Sequence, residues 1–463
     1  MPANQLVLPN SDPSRGLGRR RFLSLAALGG ATAALAACGG PSTASGGAAQ
    51  ASAAVDFSGV TPAAQIDFWS NHPGQSQAVE KELIAKFEAA HPDIKVNLVT
   101  AGSNYEEIAQ KFQSTLTAKS GLPAVVVLSD VWWFRYYMDR TIVPLDPMIS
   151  ALDWDLSDYQ DSLVADYQYD GAQWAMPYGR STPLFYYNKE HFAAAGLPDR
   201  APETWAEFGQ WAPELMASGR GVDGFLHAFM YPDVAGYAGW TMQNNLWGEG
   251  AAWSDEWEIA CDSDAAVQAF QWMQDSVYTH GWAGVSSSDA AADFSSGAVS
   301  STLLSTGSLV GVLENAQFDV GVGFLPGGSV EGPVCPTGGA GLGIPSGVTP
   351  EEQLAAALFI KFVGEPENTA AFSAATGYLP NRKSADLSSV LAEVPQLQTA
   401  VDQLAVTRVQ DYARVFLPGA DQEMAKTATA ILTQQADPAG ALSELRETLE
   451  GIYENDVAPK LQA

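Results

Sequence analysis

Apolar positions in the first folded stretch follow two alternating spacings. Residues 66–69 and 94–98 read as short strands, and residues 124–128 form an unbroken apolar run typical of a buried strand. Between them, residues 79–87 and 108–116 carry apolar side chains at helical spacing. The order strand, helix, strand, helix, strand predicts a parallel sheet with right-handed crossovers.

The ends of these strands predict where a ligand would bind. In open parallel sheets, ligands sit outside the carboxyl ends of the strands. In this chain those ends fall near residues 70–75, 101–105 and 129–133. We therefore expect a cleft lined by these three segments.

The length of the chain predicts more than one domain. It has 463 residues, and one hydrophobic core rarely serves more than about 250–300 residues. A second apolar pattern returns at residues 350–363 and again at 442–453, far from the first. Two domains are therefore expected.

The N-terminal residues have the anatomy of an export signal. Residues 19–23 (RRRFL) precede a short apolar stretch at 25–37, and Cys38 follows small residues. We interpret residues 1–37 as a twin-arginine lipoprotein signal, with acylated Cys38 anchoring the protein to the outer face of the cell membrane. An ordinary cleaved secretory signal is the alternative. Residues 38–60 are rich in Gly, Ala and Ser and predict a flexible linker.

The net charge limits the partners that the protein can bind, and the cysteines bear on whether it contains a disulfide. The formal net charge of −30 disfavours nucleic acid and anionic lipid surfaces, so the lipid is the one predicted membrane contact. Cys261 and Cys335 are the cysteines left for the folded part. An oxidising location permits a disulfide between them, and two separate buried thiols are the alternative.

Common signatures of enzymes are missing from the sequence. It has no Gly-x-Ser-x-Gly elbow, no His-Glu-x-x-His helix and no P-loop, and its five His show no ligand spacing. No cofactor, metal or catalytic residue is therefore predicted. A secreted hydrolase remains a remote alternative because 53 acidic residues leave many possible carboxylate pairs.

Several short motifs, in a fixed order, resemble the family 1 extracellular solute-binding proteins, which are receptors of ABC importers. They are residues 68–69 (FW), 180–189 (RSTPLFYYNK), 195–198 (AGLP), 305–309 (STGSL), 337–341 (TGGAG), 359–363 (FIKFV) and 376–380 (TGYLP). Residues 130–134 (DVWWF) and 411–419 (DYARVFLPG) are most similar to receptors for glycerol 3-phosphate and glycerophosphodiesters, especially actinobacterial glycerophosphocholine-binding lipoproteins.

This resemblance implies a fold and a function. The expected fold is α/β, a two-lobed periplasmic-binding-protein type II fold whose lobes are mostly parallel sheets flanked by helices. Lobe 1 is expected at 61–180 and 346–402, and lobe 2 at 181–345 and 403–463, with a hinge-bending cleft between them. A monomer would capture glycerophosphocholine or sn-glycerol 3-phosphate by hinge closure and deliver it unchanged to an ABC permease.

The resemblance also implies ligand-contacting positions. They are Tyr105, Asp130, Ser181, Tyr237, Ser308, Gly339, Tyr378 and Arg414. Arg offers a forked match to two phosphate oxygens, hydroxyl and N–H groups add donors, and a carboxylate can accept from the vicinal hydroxyls of glycerol. A choline head would need aromatic faces. The candidates besides Tyr237 are Trp132, Trp133 and Trp240, and of the adjacent pair only one is expected to face the cleft.

Most of these positions also have a structural interpretation. Ser181 and Ser308 could be ordinary loop residues, and Gly339 could be needed only for the geometry of a turn. Arg414 could instead form a salt bridge between the lobes, Asp130 could cap a helix, and Tyr378 could be a packed turn residue. Trp240 could simply belong to the core. A receptor for an oligosaccharide is the alternative function, since abundant Trp and an acidic surface suit it equally well, and Arg414 would then be peripheral.

Overall fold

A computed structural model describes residues 56–71, 75–232, 234–287 and 289–462. The predicted export signal, Cys38 and residues 39–55 of the predicted linker lie outside these ranges. Within them, Phe57 is buried in the core. The folded part therefore begins before residue 60, where the linker was expected to end, because an aromatic side chain near its end finds a buried position.

The strands of the described ranges are short, and many have only two or three residues. They are β1 (Gln65–Ser70), β2 (Lys95–Thr100), β3 (Val125–Ser129), β4 (Gln168–Tyr169), β5 (Ala172–Gln173), β6 (Met176–Ser181), β7 (Pro183–Asn188), β8 (Phe229–Tyr231), β9 (Ser254–Asp255), β10 (Glu258–Ile259), β11 (Ala283–Val285), β12 (Ser301–Ser305), β13 (Val320–Gly323), β14 (Cys335–Pro336), β15 (Gly338–Gly343) and β16 (Thr407–Arg408).

Helices occupy most of the remaining chain. They are α1 (Gln75–Ala90), α2 (Tyr105–Ala118), α3 (Trp133–Met138), α4 (Asp146–Ala151), α5 (Asp161–Ala165), α6 (Lys189–Ala194), α7 (Trp205–Gly219), α8 (Val234–Gly248), α9 (Asp264–Tyr278), α10 (Ala290–Ser295), α11 (Leu309–Asn315), α12 (Pro350–Val363), α13 (Pro366–Thr376), α14 (Ser388–Glu393), α15 (Leu397–Gln403), α16 (Tyr412–Val415), α17 (Ala420–Gln434), α18 (Pro438–Ile452) and α19 (Ala458–Leu461). None of the helices in these ranges combines the length and apolar character that a membrane crossing needs.

The first sheet contains the strands predicted from the apolar pattern. Its order is β2-β1-β3-β15-β6. Strand β1 pairs in parallel with both β2 and β3, which confirms the predicted parallel unit. Strand β15 is antiparallel to β3 and to β6, so four of the five strands run in one direction and the sheet is mostly parallel, as expected.

The second sheet also has four strands in one direction and one reversed strand, β7. Its order is β11-β8-β12-β7-β13, with parallel pairs at β11–β8 and β8–β12 and antiparallel pairs at β12–β7 and β7–β13. The chain leaves the first sheet at Ser181 and enters the second at Pro183. No crossover helix lies between these two strands. Such a helix would be needed only if consecutive strands paired in parallel within one sheet.

Two of the expected boundaries between the halves are wrong in detail. Residues 338–343 were expected with the second half, but β15 lies in the first sheet between β3 and β6. Residues 388–402 were expected with the first half, but Val390 and Leu397 belong to one buried cluster with Tyr186 and Leu304 of the second sheet. In both places, strand pairing or side-chain packing, rather than chain order, decides the assignment.

The cysteines settle one open alternative. Cys261 and Cys335 are both free and fully buried. Burial raises the pKa of each thiol, to about 12 for Cys261. Two separate buried thiols, and not a disulfide, are therefore what the fold contains.

Candidate functional site

The carboxyl ends of the first-sheet strands carry polar side chains, as the topology predicted. Tyr105 is the first residue of α2, whose N-terminus is capped by the Asn104 side chain accepting from the backbone N–H of Glu107 at 2.9 Å. Asp130 directly follows β3, and its backbone N–H donates to the Gly339 carbonyl at 3.0 Å. Strand β15 therefore fixes the backbone that presents the Asp130 carboxylate.

An ion pair joins this edge to the C-terminal segment. Nη1 of Arg414, on α16, donates to Oδ2 of Asp130 at 3.0 Å, and Nε donates to Oδ1 of Asp421 at 2.8 Å. Nη1 also donates to Oε1 of Gln410, whose amide donates to Oδ2 of Asp130 at 2.6 Å. Asp130 and Arg414 are only 5% and 6% exposed. Two groups more than 280 residues apart in sequence are thus held together out of water.

The charges of this group are set by two opposing effects. Burial alone would raise the pKa of Asp130, but Arg414, Arg180 and the Gln410 amide hold it below its ordinary value. For Asp421 burial prevails over Arg414, and its pKa is raised. Asp130 therefore favours the ionised form more strongly than Asp421 does, and Arg414 is shared between the two carboxyl groups.

The guanidinium of Arg414 does not offer the forked contact expected for a phosphate. Two of its three nitrogens, Nε and Nη1, donate to side chains of the protein, whereas Nη2 donates to no residue of the described ranges. In the structure Arg414 is therefore a salt-bridge partner of Asp130 and Asp421, which is the structural interpretation given for it above. Nη2 is the nitrogen that an added acceptor could use, and Arg414 lines a cavity of about 30 Å³ together with Glu106 and Trp132.

Two tyrosine hydroxyl groups adjoin the ion pair. Tyr105 lies close enough to Tyr378 and Asp130 for both to act on its hydroxyl. Burial, Tyr378 and Asp130 all raise the pKa of Tyr105, so its hydroxyl is neutral at ordinary pH. The Tyr378 ring stacks on Phe372 with centroids 5.9 Å apart. Tyr378 is therefore a packed turn residue, which is the structural interpretation given for it above. It also lies beside the site.

Ser181 and Gly339 lie on neighbouring strands at the same edge. In the β15–β6 pairing Gly338 is opposite Ser181 and Gly339 is opposite Arg180, with an irregular register after Gly339. Gly339 has φ +101°, and a Cβ atom there would lie 2.1 Å from the Gly179 carbonyl oxygen. Only glycine fits this position.

Two predicted positions are not brought into this group. Ser308 precedes α11 and lines a separate surface groove of about 620 Å³ with Asp289 and Asn315. None of the other predicted positions lines that groove. Tyr237 lies on α8, but its side chain is outside the described part of the chain.

The three Trp candidates differ in their surroundings. Trp133 is fully buried, with its ring 5.7 Å from Phe416 and 5.9 Å from Tyr167, so in this structure it packs in the core. Trp240 is buried too and donates from Nε1 to the Thr337 carbonyl at 2.8 Å, which makes it a core residue. Trp132 is half-buried beside Arg414, so the adjacent Trp pair diverges as expected.

This divergence predicts different losses of stability for the two neighbours. Trp133→Ala should lower the free energy of unfolding by about 3–5 kcal/mol, because a fully buried ring leaves a cavity. Trp132→Ala should lower it by less than about 2 kcal/mol, since that ring is partly in water already. Urea denaturation followed by circular dichroism measures both, and equal losses would contradict the assignment.

Sequence reasoning missed several polar members of the site. Arg180 is fully buried, donates from Nη1 to the Tyr167 hydroxyl at 2.8 Å and forms an ion pair with Asp166. Burial raises the pKa of Asp166 to about 6 in spite of Arg180. Gln410 and Asp421 were missed as well. The available signal was their position: Arg180 directly precedes Ser181, and Gln410 lies four residues before Arg414.

Comparison with known proteins identifies the family. A family model described as bacterial extracellular solute-binding protein matches residues 82–399. The sn-glycerol-3-phosphate-binding periplasmic protein UgpB of Escherichia coli strain K12 is 28% identical over 346 residues, covering 69% of this chain and 75% of that protein.

Solved structures agree with this result. The crystal structure of UgpB from Mycobacterium tuberculosis in complex with glycerophosphocholine is 43% identical, with a TM-score of 0.81, and the match covers 85% of this chain and 100% of that one. Maltose-bound MalE3 of T. maritima has a TM-score of 0.72 at 22% identity, covers 84% and 100%, and shows the fold alone. These structures confirm the predicted two-lobed fold. The chain belongs to the family of bacterial extracellular solute-binding proteins.

Proposed function

We propose that this protein captures glycerophosphodiesters, glycerophosphocholine in particular, and sn-glycerol 3-phosphate for an ABC importer. The observation that carries the proposal is the buried group of Asp130, Gln410 and Arg414, beside the hydroxyls of Tyr105 and Tyr378. It combines an ionised carboxylate, a guanidinium and neutral hydroxyl donors. Similarity to the two UgpB proteins supports it.

Each part of such a ligand has a complementary partner in this group. The vicinal hydroxyls of glycerol can donate to the ionised Asp130, which already accepts from Gln410 and Arg414. The phosphate oxygens can accept from Nη2 of Arg414, from the tyrosine hydroxyls and from Ser181, because charge-assisted bonds favour an anion there. Trp132 is the described aromatic candidate for the substituent on the phosphate.

Hinge closure gives capture a mechanism. Asp130 belongs to the first sheet, whereas Arg414 lies on α16, which packs against α17 and through it against α8. We infer that the two sheets mark two lobes that move at the passages near Thr182, before β15 and after α13. A ligand that touches both sides stabilises the closed state over the open one.

The proposal also includes the location of the protein and its partner in transport. Acylated Cys38 would tether it outside the cytoplasm, and the closed form would dock on a permease powered by a separate ATPase. The chemistry is binding and release of an intact ligand, so no residue is assigned a catalytic role.

A binding panel tests the proposal. Isothermal titration calorimetry should give a dissociation constant of about 1 μM or below for glycerophosphocholine. In thermal shift assays glycerophosphocholine and sn-glycerol 3-phosphate should raise the unfolding temperature, because a ligand of the native state stabilises it by mass action. Maltose and trehalose should leave it unchanged. Stabilisation by the sugars alone would replace the phosphate assignment by the oligosaccharide alternative.

A further inference from the structure

A buried carboxyl group lies behind the cleft, outside the predicted ligand positions. Glu80 lies on α1 and is 2% exposed. Its Oε1 accepts from the Ser70 hydroxyl at 2.6 Å and from the Tyr178 hydroxyl at 2.9 Å. Its Oε2 is buried without a hydrogen-bond partner among the described residues. A buried acid with an unpaired oxygen is expensive to keep for structure alone.

Glu80 is connected to the site through stacked rings. The Tyr178 ring packs on Phe372 with centroids 4.7 Å apart, and Phe372 stacks on Tyr378 at 5.9 Å. Burial, Glu80, Tyr378 and Tyr105 all raise the pKa of Tyr178. The hydroxyl held by Glu80 is therefore within electrostatic reach of two candidate ligand residues.

We propose that Glu80 is a positioning residue of the cleft whose charge state sets the affinity for an anionic ligand. Its carboxyl orients Tyr178, and through Phe372 it fixes the ring of Tyr378. When ionised, it places a negative charge behind the hydroxyls that would meet the phosphate. This inference rests on the proposed function, since it requires a phosphate-bearing ligand.

The titration of Glu80 falls in an accessible range. Burial raises the pKa of Glu80 to about 7, although the hydrogen bonds from Ser70 and Tyr178 act in the opposite direction. No charged side chain is among the described groups that act on it. Charged residues do occur on the elements around it, namely Asp67 on β1, Lys95 on β2, Arg180 on β6, Glu351, Glu352 and Lys361 on α12, and Glu367 on α13.

The direction of the effect follows from linkage. A bound anion disfavours the ionised carboxylate and so raises the pKa of Glu80 further. Affinity is then highest below pH 7, where Glu80 is already protonated, and falls as the pH rises through its pKa. A shift of about one pKa unit corresponds to about a tenfold change in affinity.

Calorimetry at pH 6 and pH 8 tests this inference. The affinity of wild-type protein for glycerophosphocholine should fall about fivefold between the two values, because the full change of about tenfold extends beyond this pH range. Glu80→Gln keeps the hydrogen-bonding shape without the charge, so its affinity should change less than about twofold. Glu82→Gln, an exposed change on the same helix, should retain the wild-type dependence. The same pH dependence in Glu80→Gln and wild type would overturn the inference.

Two further measurements test the charge of the ligand and the role of Tyr178 separately. Sn-glycerol 3-phosphate gains a second charge near pH 6, so its affinity should fall more steeply than that of the diester. Tyr178→Phe removes a hydrogen bond that lowers the pKa of Glu80, so the affinity change should move to higher pH. An unmoved midpoint in Tyr178→Phe contradicts the inference even if Glu80→Gln fails to fold. Absence of binding by wild type to either ligand would instead overturn the proposed function.

Discussion

Replacement of Arg414 by alanine is expected to remove binding of glycerophosphocholine, with an affinity loss of at least about 100-fold. The variant lacks the guanidinium that joins Asp130 to the C-terminal segment. It also leaves Asp130 and Asp421 close together without their cation, and an anionic phosphate would then approach two carboxyl groups. Calorimetry at concentrations that saturate wild type measures the loss.

Two other variants separate binding from stability in this experiment. Arg414→Lys keeps the charge but cannot serve two carboxyl groups with the planar geometry of arginine, so about a tenfold loss is expected. Arg446→Ala removes an exposed arginine paired with Asp262 and Glu450, and its affinity should equal that of wild type. Wild-type affinity in Arg414→Ala would show that the ligand is bound elsewhere.

The first sheet could be predicted from sequence because its signal is local. Apolar spacing within each stretch of five to sixteen residues identifies β1, α1, β2, α2 and β3 and hence the edge that bears Asp130. The place of β15 could not be predicted in this way. Its sequence, GGAGLG, has almost no side-chain pattern, and it pairs with strands more than 150 residues earlier.

The site could be predicted only in part for a similar reason. A motif locates a segment, but it does not decide which side chain of the segment faces the cleft. In residues 305–309, Ser305 ends β12 whereas Ser308 precedes α11 and lines another groove. A shift of three residues across such a junction changes the direction of a side chain completely.

The partners of Arg414 could not be predicted from the sequence, because they depend on how separate elements pack together. Asp421 lies seven residues further on a different helix. The two helices are joined through Gly419, whose φ of +81° turns the chain so that both side chains converge. Asp130 lies at the end of β3, in the first sheet. The ion pair is thus a product of tertiary packing, while each of its members is visible as a polar residue at an element end.

Gly339→Ala is expected to damage both folding and binding. Its φ of +101° is unfavourable for any side chain, and the new Cβ would lie 2.1 Å from the Gly179 carbonyl oxygen. The strand must therefore move, and the Gly339 carbonyl that accepts from the backbone N–H of Asp130 moves with it. We expect a loss of at least about 2 kcal/mol in the free energy of unfolding and at least about tenfold in affinity.

Gly311 offers a matched control for this change. It lies inside α11 with open space around its missing side chain, so Gly311→Ala should be neutral or stabilising by up to about 1 kcal/mol. Urea denaturation and calorimetry on both variants separate a general effect of adding a methyl group from the local one. If Gly339→Ala unfolds and binds like Gly311→Ala, then β15 does not hold Asp130 in place, and the carboxylate is positioned by Gln410 and Arg414 alone.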